Sequence, residues 1–180
     1  DIDAFLVKQY PERQYYMKPW LQSGSLVEIY GASGIGKSYL RDSVALAVTH
    51  GVNIGLWEVE ETVGVLILDG EMPSPLIQHR LQMLSHNLPE RKAPISMIST
   101  TDLLSEGYSA PNLTMPQWRN GLTEFLAQHP EIKVVMIDNV VSLFPGLDEN
   151  AAKEWSPSNQ WMIELRAMGL AVVKFHHSTK

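Results

Sequence analysis

Residues 31–38, with the sequence GASGIGKS, have the types and the spacing that bind a polyphosphate. Their pattern is G-x-x-x-x-G-K-S, in which the glycines let the backbone wrap around phosphates with its amide N–H groups pointing inward. A lysine placed as Lys37 reaches the β- and γ-phosphates, and a hydroxyl placed as Ser38 is a ligand for Mg²⁺. The candidate nucleotide-binding residues are Gly31, Ala32, Ser33, Gly34, Ile35, Gly36, Lys37, Ser38 and Tyr39.

The alternative is a glycine-rich turn without a function. The context argues against it, because an apolar run precedes the loop at residues 26–30 and a helix-like stretch follows at residues 39–49. The start of such a helix adds the positive end of its dipole to the phosphate site. The loop therefore predicts the binding of a nucleoside triphosphate, with a catalytic role for Lys37.

A candidate metal ligand ends a later apolar run, VVMID, whose last residue is Asp138. A hydrophobic strand followed by an aspartate is typical of the acid on the Mg²⁺ side of such sites, and Ser38 is the expected second ligand. A helix cap or a turn former is the alternative role for Asp138. The next residue is Asn139, an amide that cannot take a proton from water, so the base must come from elsewhere.

A different acid is available in the run LILDGEM, which carries Asp69 and Glu71 at its tip. Hydrolysis needs a carboxylate that orients or deprotonates the water attacking the γ-phosphate. We expect Glu71 to be this catalytic residue and Asp69 to be its support or a cap. A solvated acidic turn is the alternative.

The last apolar run ends in His176 and His177. A polar group at this tip could contact the γ-phosphate, and we expect His177, ahead of His176, to serve as this sensor. A structural histidine remains the alternative. A metal site is disfavoured, because adjacent residues on a strand point to opposite faces.

The chain has 180 residues, a net charge of −6 and no cysteine. It therefore lacks disulfides and thiolate metal sites, which suits a cytoplasmic location. No apolar run approaches the ~20 residues of a membrane span, so we expect no membrane partner. We expect residues 1–24 to be a lead-in and residues 25–180 to be the ATPase core, truncated at its C-terminal end.

Apolar runs alternate with helical patterns along the chain, which predicts βαβ units and a largely parallel sheet with helices on both faces. We read residues 17–24 as a connection and residues 100–115 as a long loop. The predicted strands are 25–30, 53–60, 63–70, 95–99, 132–139 and 169–177, and the predicted helices are 37–49, 75–86, 116–129 and 150–168.

Taken together, the segments GASGIGKS, LILDGEM, VVMIDNV and FHHSTK resemble the RecA-like ATPases. Within these, the chain is most similar to the RepA-type plasmid and phage replicative helicases, a branch of the AAA family. The resemblance implies a RecA-like P-loop NTPase fold, α/β, a three-layer sandwich with a mostly parallel sheet of core strand order 3-2-4-5-1. It further implies that Glu71, Asp138 and His177 surround ATP and Mg²⁺.

The resemblance also implies a homo-oligomer, commonly a hexameric ring, in which ATP lies between subunits and a neighbour contributes a basic finger. Lys180 is the family's basic position still present. Relatives grip single-stranded DNA with loops after core strands four and five. The first would be residues 140–155, which are acidic at Asp148 and Glu149 and lack an obvious stacking platform.

The leading hypothesis is thus the Mg²⁺-dependent ATPase core of a replicative-type DNA helicase. A RecA-fold ATPase with another task, such as a helicase loader, a recombination factor or a signalling ring, is the second. A small-molecule kinase is the third, although Arg80, Arg91, Arg119 and Arg166 are scattered and form no arginine-rich lid. A slowly hydrolysing regulatory module is the fourth, and Glu71 argues against it.

Overall fold

The computed structural model describes residues 1–10, 12–147 and 155–177, without the side chain of His177. Within these residues, the strands are β1 Tyr15–Lys18, β2 Leu21–Gln22, β3 Leu26–Gly31, β4 Glu58–Val59, β5 Gly64–Asp69, β6 Ile95–Ser99, β7 Ile132–Asp138 and β8 Ala171–His177. The helices are α1 Ile2–Leu6, α2 Lys37–His50, α3 Ser74–Ser85, α4 Thr100–Ser105, α5 Pro116–Gln128, α6 Val140–Leu143 and α7 Ser156–Ala167.

The central sheet has five strands in the order β3-β8-β7-β5-β6, and all neighbouring strands are parallel. Numbered along the chain as core strands, this order is 1-5-4-2-3. It is the predicted order 3-2-4-5-1 read from the opposite edge, so the predicted α/β fold class is confirmed.

Helices cover both faces of this sheet, which gives three layers. The interior of strand β7 is apolar because its side chains alternate between two cores: Val135 and Ile137 pack in one, and Val134 and Met136 pack in the other. A strand buried on both faces reads as a continuous hydrophobic run. Residues of α5, α6 and α7 complete the first core, and residues of α2 complete the second.

A second, antiparallel sheet of order β2-β1-β4 was not foreseen. The interpretation of residues 17–24 as a plain connection is wrong, because β1 and β2 pair there. Tyr16, Met17 and Leu21 are buried in the core that also contains α2. Part of the predicted lead-in is therefore packed against the central sheet. The turn residues Pro19 and Gly24 interrupt its sequence, so its apolar side chains showed no strand pattern.

Three further element predictions need correction. Residues 100–115 are not a continuous loop, because they begin with α4, whose N-terminus is capped by the side chain of Ser99. The predicted strand 53–60 is reduced to β4. Residues 140–143 form α6, within the segment predicted as a DNA loop. The predicted start of the last helix, at residue 150, lies outside the described residues.

The strand ends converge at one edge of the central sheet. Asp69 pairs by register with Ser99 on one side and with Asp138 on the other, and Asp138 pairs with Phe175. At the edge strand, Gly31 pairs with His177. Because all five strands run in the same direction, their carboxyl ends bring the phosphate loop and the predicted acids to the same side.

Candidate functional site

The loop at residues 31–38 has the backbone of a phosphate cradle. Gly34 and Gly36 have φ values of +81° and +97°, in the left-handed region that side chains disfavour. Gly36 is the N-cap of α2, and no side chain caps the helix. Helix N-termini without a side-chain cap commonly bind anions through the amide groups of the first turn.

Lys37 reaches back across this loop. Its Nζ donates hydrogen bonds to the carbonyl oxygens of Gly31 at 2.7 Å and Ala32 at 2.8 Å. The side chain is buried, whereas residues 32–36 are exposed. The ammonium group therefore lies within the loop that would surround the phosphates.

Tyr39, the last candidate nucleotide-binding residue, is 44% exposed. The guanidinium of Arg80 lies over its ring at 4.2 Å from the centroid. Arg80 also donates from Nη1 to Asp42 Oδ2 at 3.3 Å, so it joins α3 to the helix after the loop. In the sequence Arg80 is one of several scattered arginines, whereas in the structure it packs beside the phosphate loop.

Ser38 and Asp138, the two predicted metal ligands, are brought together. The hydroxyl of Ser38 lies close enough to the carboxylate of Asp138 to lower its pKa. These are hard oxygen donors, and Mg²⁺ is usually held by one or two carboxylates together with substrate phosphates and water. The pair fits Mg²⁺ bound in that way. Within the described ranges, no group of three His, Cys, Asp or Glu residues forms an all-protein metal site.

Arg41, which sequence reasoning missed, is fully buried beside these ligands. Its guanidinium forms ion pairs with Asp42 at 2.7 Å and with Asp138 at 2.9 Å, and a third with Asp69. Arg41 follows Lys37 by four residues, the spacing that puts two side chains on one face of a helix. That spacing, together with the acids at the ends of β5 and β7, was the sequence signal that could have identified Arg41 as their partner.

The buried charges alter one another's protonation. Burial raises the pKa of Asp138, against the opposing effects of Arg41 and of Ser38, while the nearby charges of Asp69 and Asp42 raise it further. Burial also raises the pKa of Asp42, although Arg41 and Arg80 oppose the change. For Arg41, burial favours loss of the proton, but the surrounding carboxylates together raise its pKa.

Glu71 follows β5 in a tightly held turn. Asp69 Oδ1 accepts hydrogen bonds from the amides of Glu71 at 3.0 Å and of Met72 at 2.7 Å. The amide of Gly70 donates to the Asp138 carbonyl at 2.7 Å, which ties the turn to β7. The side chain of Glu71 is exposed, and its Oε2 accepts a hydrogen bond from Asn139 Nδ2. Sequence reasoning did not foresee this role for Asn139.

The histidine pair is described only in part. His176 is half-buried and pairs by register with Tyr30. The backbone of His177 pairs with Gly31 at the start of the loop, but its side chain lies outside the described residues. Lys180 also lies outside them.

A family model described as the AAA domain matches residues 1–180, the whole chain. The chain belongs to the AAA domain family. Together with the observed fold and loop, this membership makes it a P-loop ATPase of the RecA-like type, in which nucleotide binding is the shared property.

The crystal structure of the flagellar accessory protein FlaH from Methanocaldococcus jannaschii is similar to this AAA domain, with a TM-score of 0.53 and 13% sequence identity. The match covers 86% of this chain and 62% of the FlaH chain, so the AAA domain spans less than two thirds of that relative. At this identity, the similarity shows the fold alone. No helix in the described part of the AAA domain is long and apolar enough to cross a bilayer.

Proposed function

We propose that this AAA domain is an Mg²⁺-dependent ATP hydrolase that uses Glu71 to prepare the attacking water. One chain of contacts carries the proposal. Ser38, in the loop, lies beside Asp138, and the next residue, Asn139, donates to Glu71. The phosphate loop, the proposed metal ligand and the proposed base thus lie next to one another.

Binding of ATP uses the loop amides and Lys37. The ammonium group already lies between the carbonyls of Gly31 and Ala32, so it exchanges these acceptors for phosphate oxygens through a change of side-chain conformation. Ser38 and Asp138 would hold Mg²⁺. Bound Mg²⁺ supplies charge that offsets the negative charge on the transferred phosphoryl group.

Glu71 is the acid best suited to act on water. Asp69 is buried and engaged with Arg41 and the turn amides, and Asp138 is buried and engaged with Arg41 and Ser38. Glu71 is the exposed member of this group of acids. An exposed carboxylate on a fixed turn can orient a water in line with the γ-phosphate and accept its proton. We assign His177 to the γ-phosphate, supported by its register with Gly31.

For the larger task, we propose a ring of identical subunits that couples hydrolysis to movement on single-stranded DNA, as in replicative-type helicases. The support is the resemblance of the loop and strand-end segments to that branch. A RecA-fold ATPase with a loader, recombination or signalling role remains the second candidate.

A kinase role is disfavoured by the positions of the arginines. Arg41 and Arg80 both form ion pairs with the buried Asp42. Arg119 donates to the carbonyls of Leu113 and Thr114, and Arg166 donates to the carbonyl of Gly24. These arginines brace the fold and do not form the mobile basic lid that a small-molecule kinase needs.

The test is phosphate release from ATP in the presence and absence of Mg²⁺, repeated with single-stranded DNA over a range of salt concentrations. We expect Mg²⁺-dependent release that DNA accelerates, with an acceleration that falls steeply as salt rises. Release unaffected by DNA would favour the second candidate. Formation of ADP with an equimolar phosphorylated metabolite, in place of free phosphate, would favour a kinase, and no phosphate release under any of these conditions would exclude the hydrolase.

A further inference from the structure

Asn139 uses both ends of its side-chain amide at the candidate active site. The residue is 3% exposed and lies between β7 and α6. Its Oδ1 accepts a hydrogen bond from the backbone amide of Ser142 at 2.8 Å, which caps α6. Its Nδ2 donates to Glu71 Oε2.

The cap determines which end of the amide meets Glu71. A backbone N–H needs an acceptor, so the oxygen of Asn139 must face Ser142 and the NH₂ group must face the carboxylate. Aspartate could make the cap but would turn a like charge toward Glu71. Serine could make the cap, since it is as good an N-cap as asparagine, but its hydroxyl is too short to replace the amide.

The backbone of Glu71 is held independently of this contact. The Asp69 side chain binds the amide of Glu71, and the Gly70 amide binds the carbonyl of Asp138. Helix α6 also packs directly on the turn, because a Cβ added to Gly70 would lie 2.8 Å from Ser142 Cβ. The turn fixes the position of the Glu71 backbone, and the contact with Asn139 orients the carboxylate at the end of its side chain.

We propose that Asn139 is a positioning residue that holds the Glu71 carboxylate in its catalytic orientation. This inference rests on the proposed role of Glu71 as the base. Asn139 does not accept a proton, and it acts on the reaction through Glu71. Asn139 cannot itself be the base, but its amide orients Glu71, the acid that follows the neighbouring strand β5.

The experiment compares wild type with Asn139→Ser, which keeps the helix cap, and with Asn139→Asp, which adds a like charge. We expect kcat for ATP hydrolysis to fall at least about tenfold in both variants, part of the usual contribution of a general base, while KM changes little. Asn53→Asp is the matched control, because Asn53 also accepts a backbone hydrogen bond, from Val59 at 2.9 Å, outside the site.

A double-mutant cycle separates positioning from a structural effect. If Asn139 acts through Glu71, Asn139→Ser should not lower the residual single-turnover rate further in a Glu71→Gln background. An unchanged or faster turnover in Asn139→Ser would overturn the proposal, and so would an equal fall in both backgrounds. Should Glu71→Gln itself hydrolyse ATP as fast as wild type, the proposed base would be wrong, which is a separate outcome.

Discussion

Arg41 donates from Nη1 to Oδ2 of Asp138 at 2.9 Å, and neither side chain has appreciable contact with solvent. The ion pair joins the helix after the phosphate loop to the strand that carries the predicted metal ligand. The same guanidinium also holds Asp42 and Asp69. One buried cation thus sets the mutual positions of α2, β5 and β7.

Replacing Arg41 with Met should be strongly destabilising, because it leaves buried carboxylates without their cation. We expect the free energy of unfolding to fall by about 3–5 kcal/mol, the usual effect of breaking a buried pair from one side. Denaturant unfolding measures this. Lys18→Met is the comparison, since Lys18 pairs with Glu60 at 3.0 Å on the surface and should cost about 0–1 kcal/mol. A loss below about 1 kcal/mol for Arg41→Met would contradict this account.

Replacing Lys37 with Ala should weaken ATP binding itself. The ammonium group would otherwise make charged hydrogen bonds with the phosphates, so we expect an increase in Kd of about 10- to 100-fold. Isothermal titration calorimetry measures the change, and Lys133→Ala, at the start of β7, is the control. Equal affinities in the two variants would remove Lys37 from the site.

Replacing Asp138 with Asn should raise the Mg²⁺ concentration needed for half-maximal turnover at least about tenfold, because a ligand carboxylate is lost. The fold should tolerate this change better than Arg41→Met, because Arg41 keeps Asp42 and Asp69 as partners. Mg²⁺ titrations of ATP turnover provide the measurement. Asp3→Asn, in exposed α1, is the control, and an unchanged Mg²⁺ requirement would argue against Asp138 as a ligand.

Tyr16 should make stability depend on pH at alkaline values. Burial, and secondarily the charge of Glu61, raises the pKa of Tyr16 above its ordinary value of 10.0. Above that pH the unfolded chain loses the phenol proton first, so the folded state binds more protons and stability falls as pH rises. Below pH 10 Tyr16 makes its full contribution to the free energy of unfolding.

The measurement is the difference in free energy of unfolding between wild type and Tyr16→Phe, followed from pH 8 to about pH 11. Below about pH 10 the difference should be constant and near 1 kcal/mol, from the hydrogen bond of Tyr16 to the Gly169 carbonyl. Above that pH it should shrink or change sign. A difference that grows with rising pH would show that the assigned direction is wrong.

Much of the fold is readable from the sequence because strands buried on both faces are nearly continuous apolar runs, as in β5 and β7. The elements that were not predicted, α1, β1, β2, α4 and α6, are all short. β1 and β2 are short, and turn residues separate them. α4 has only six residues, too few to show a helical period, and its Ser99 cap lies in the preceding strand.

The candidate site was predictable where one residue type identifies the chemistry, as for Lys37 and Asp138. The roles of Arg41 and Asn139 were not, because both depend on partners remote along the chain. Arg41 meets Asp69 and Asp138 only when β5 and β7 lie side by side. The same pairing brings Asn139 to Glu71.

The most direct test of the central claim is a comparison of ATP binding and ATP turnover in Glu71→Gln. Calorimetry with Mg²⁺-ATP should give wild type and variant the same affinity within about threefold, while turnover by the variant falls at least about 100-fold, as expected for the loss of a general base. No heat of binding for wild type, or a variant that hydrolyses ATP at the wild-type rate, would contradict the account.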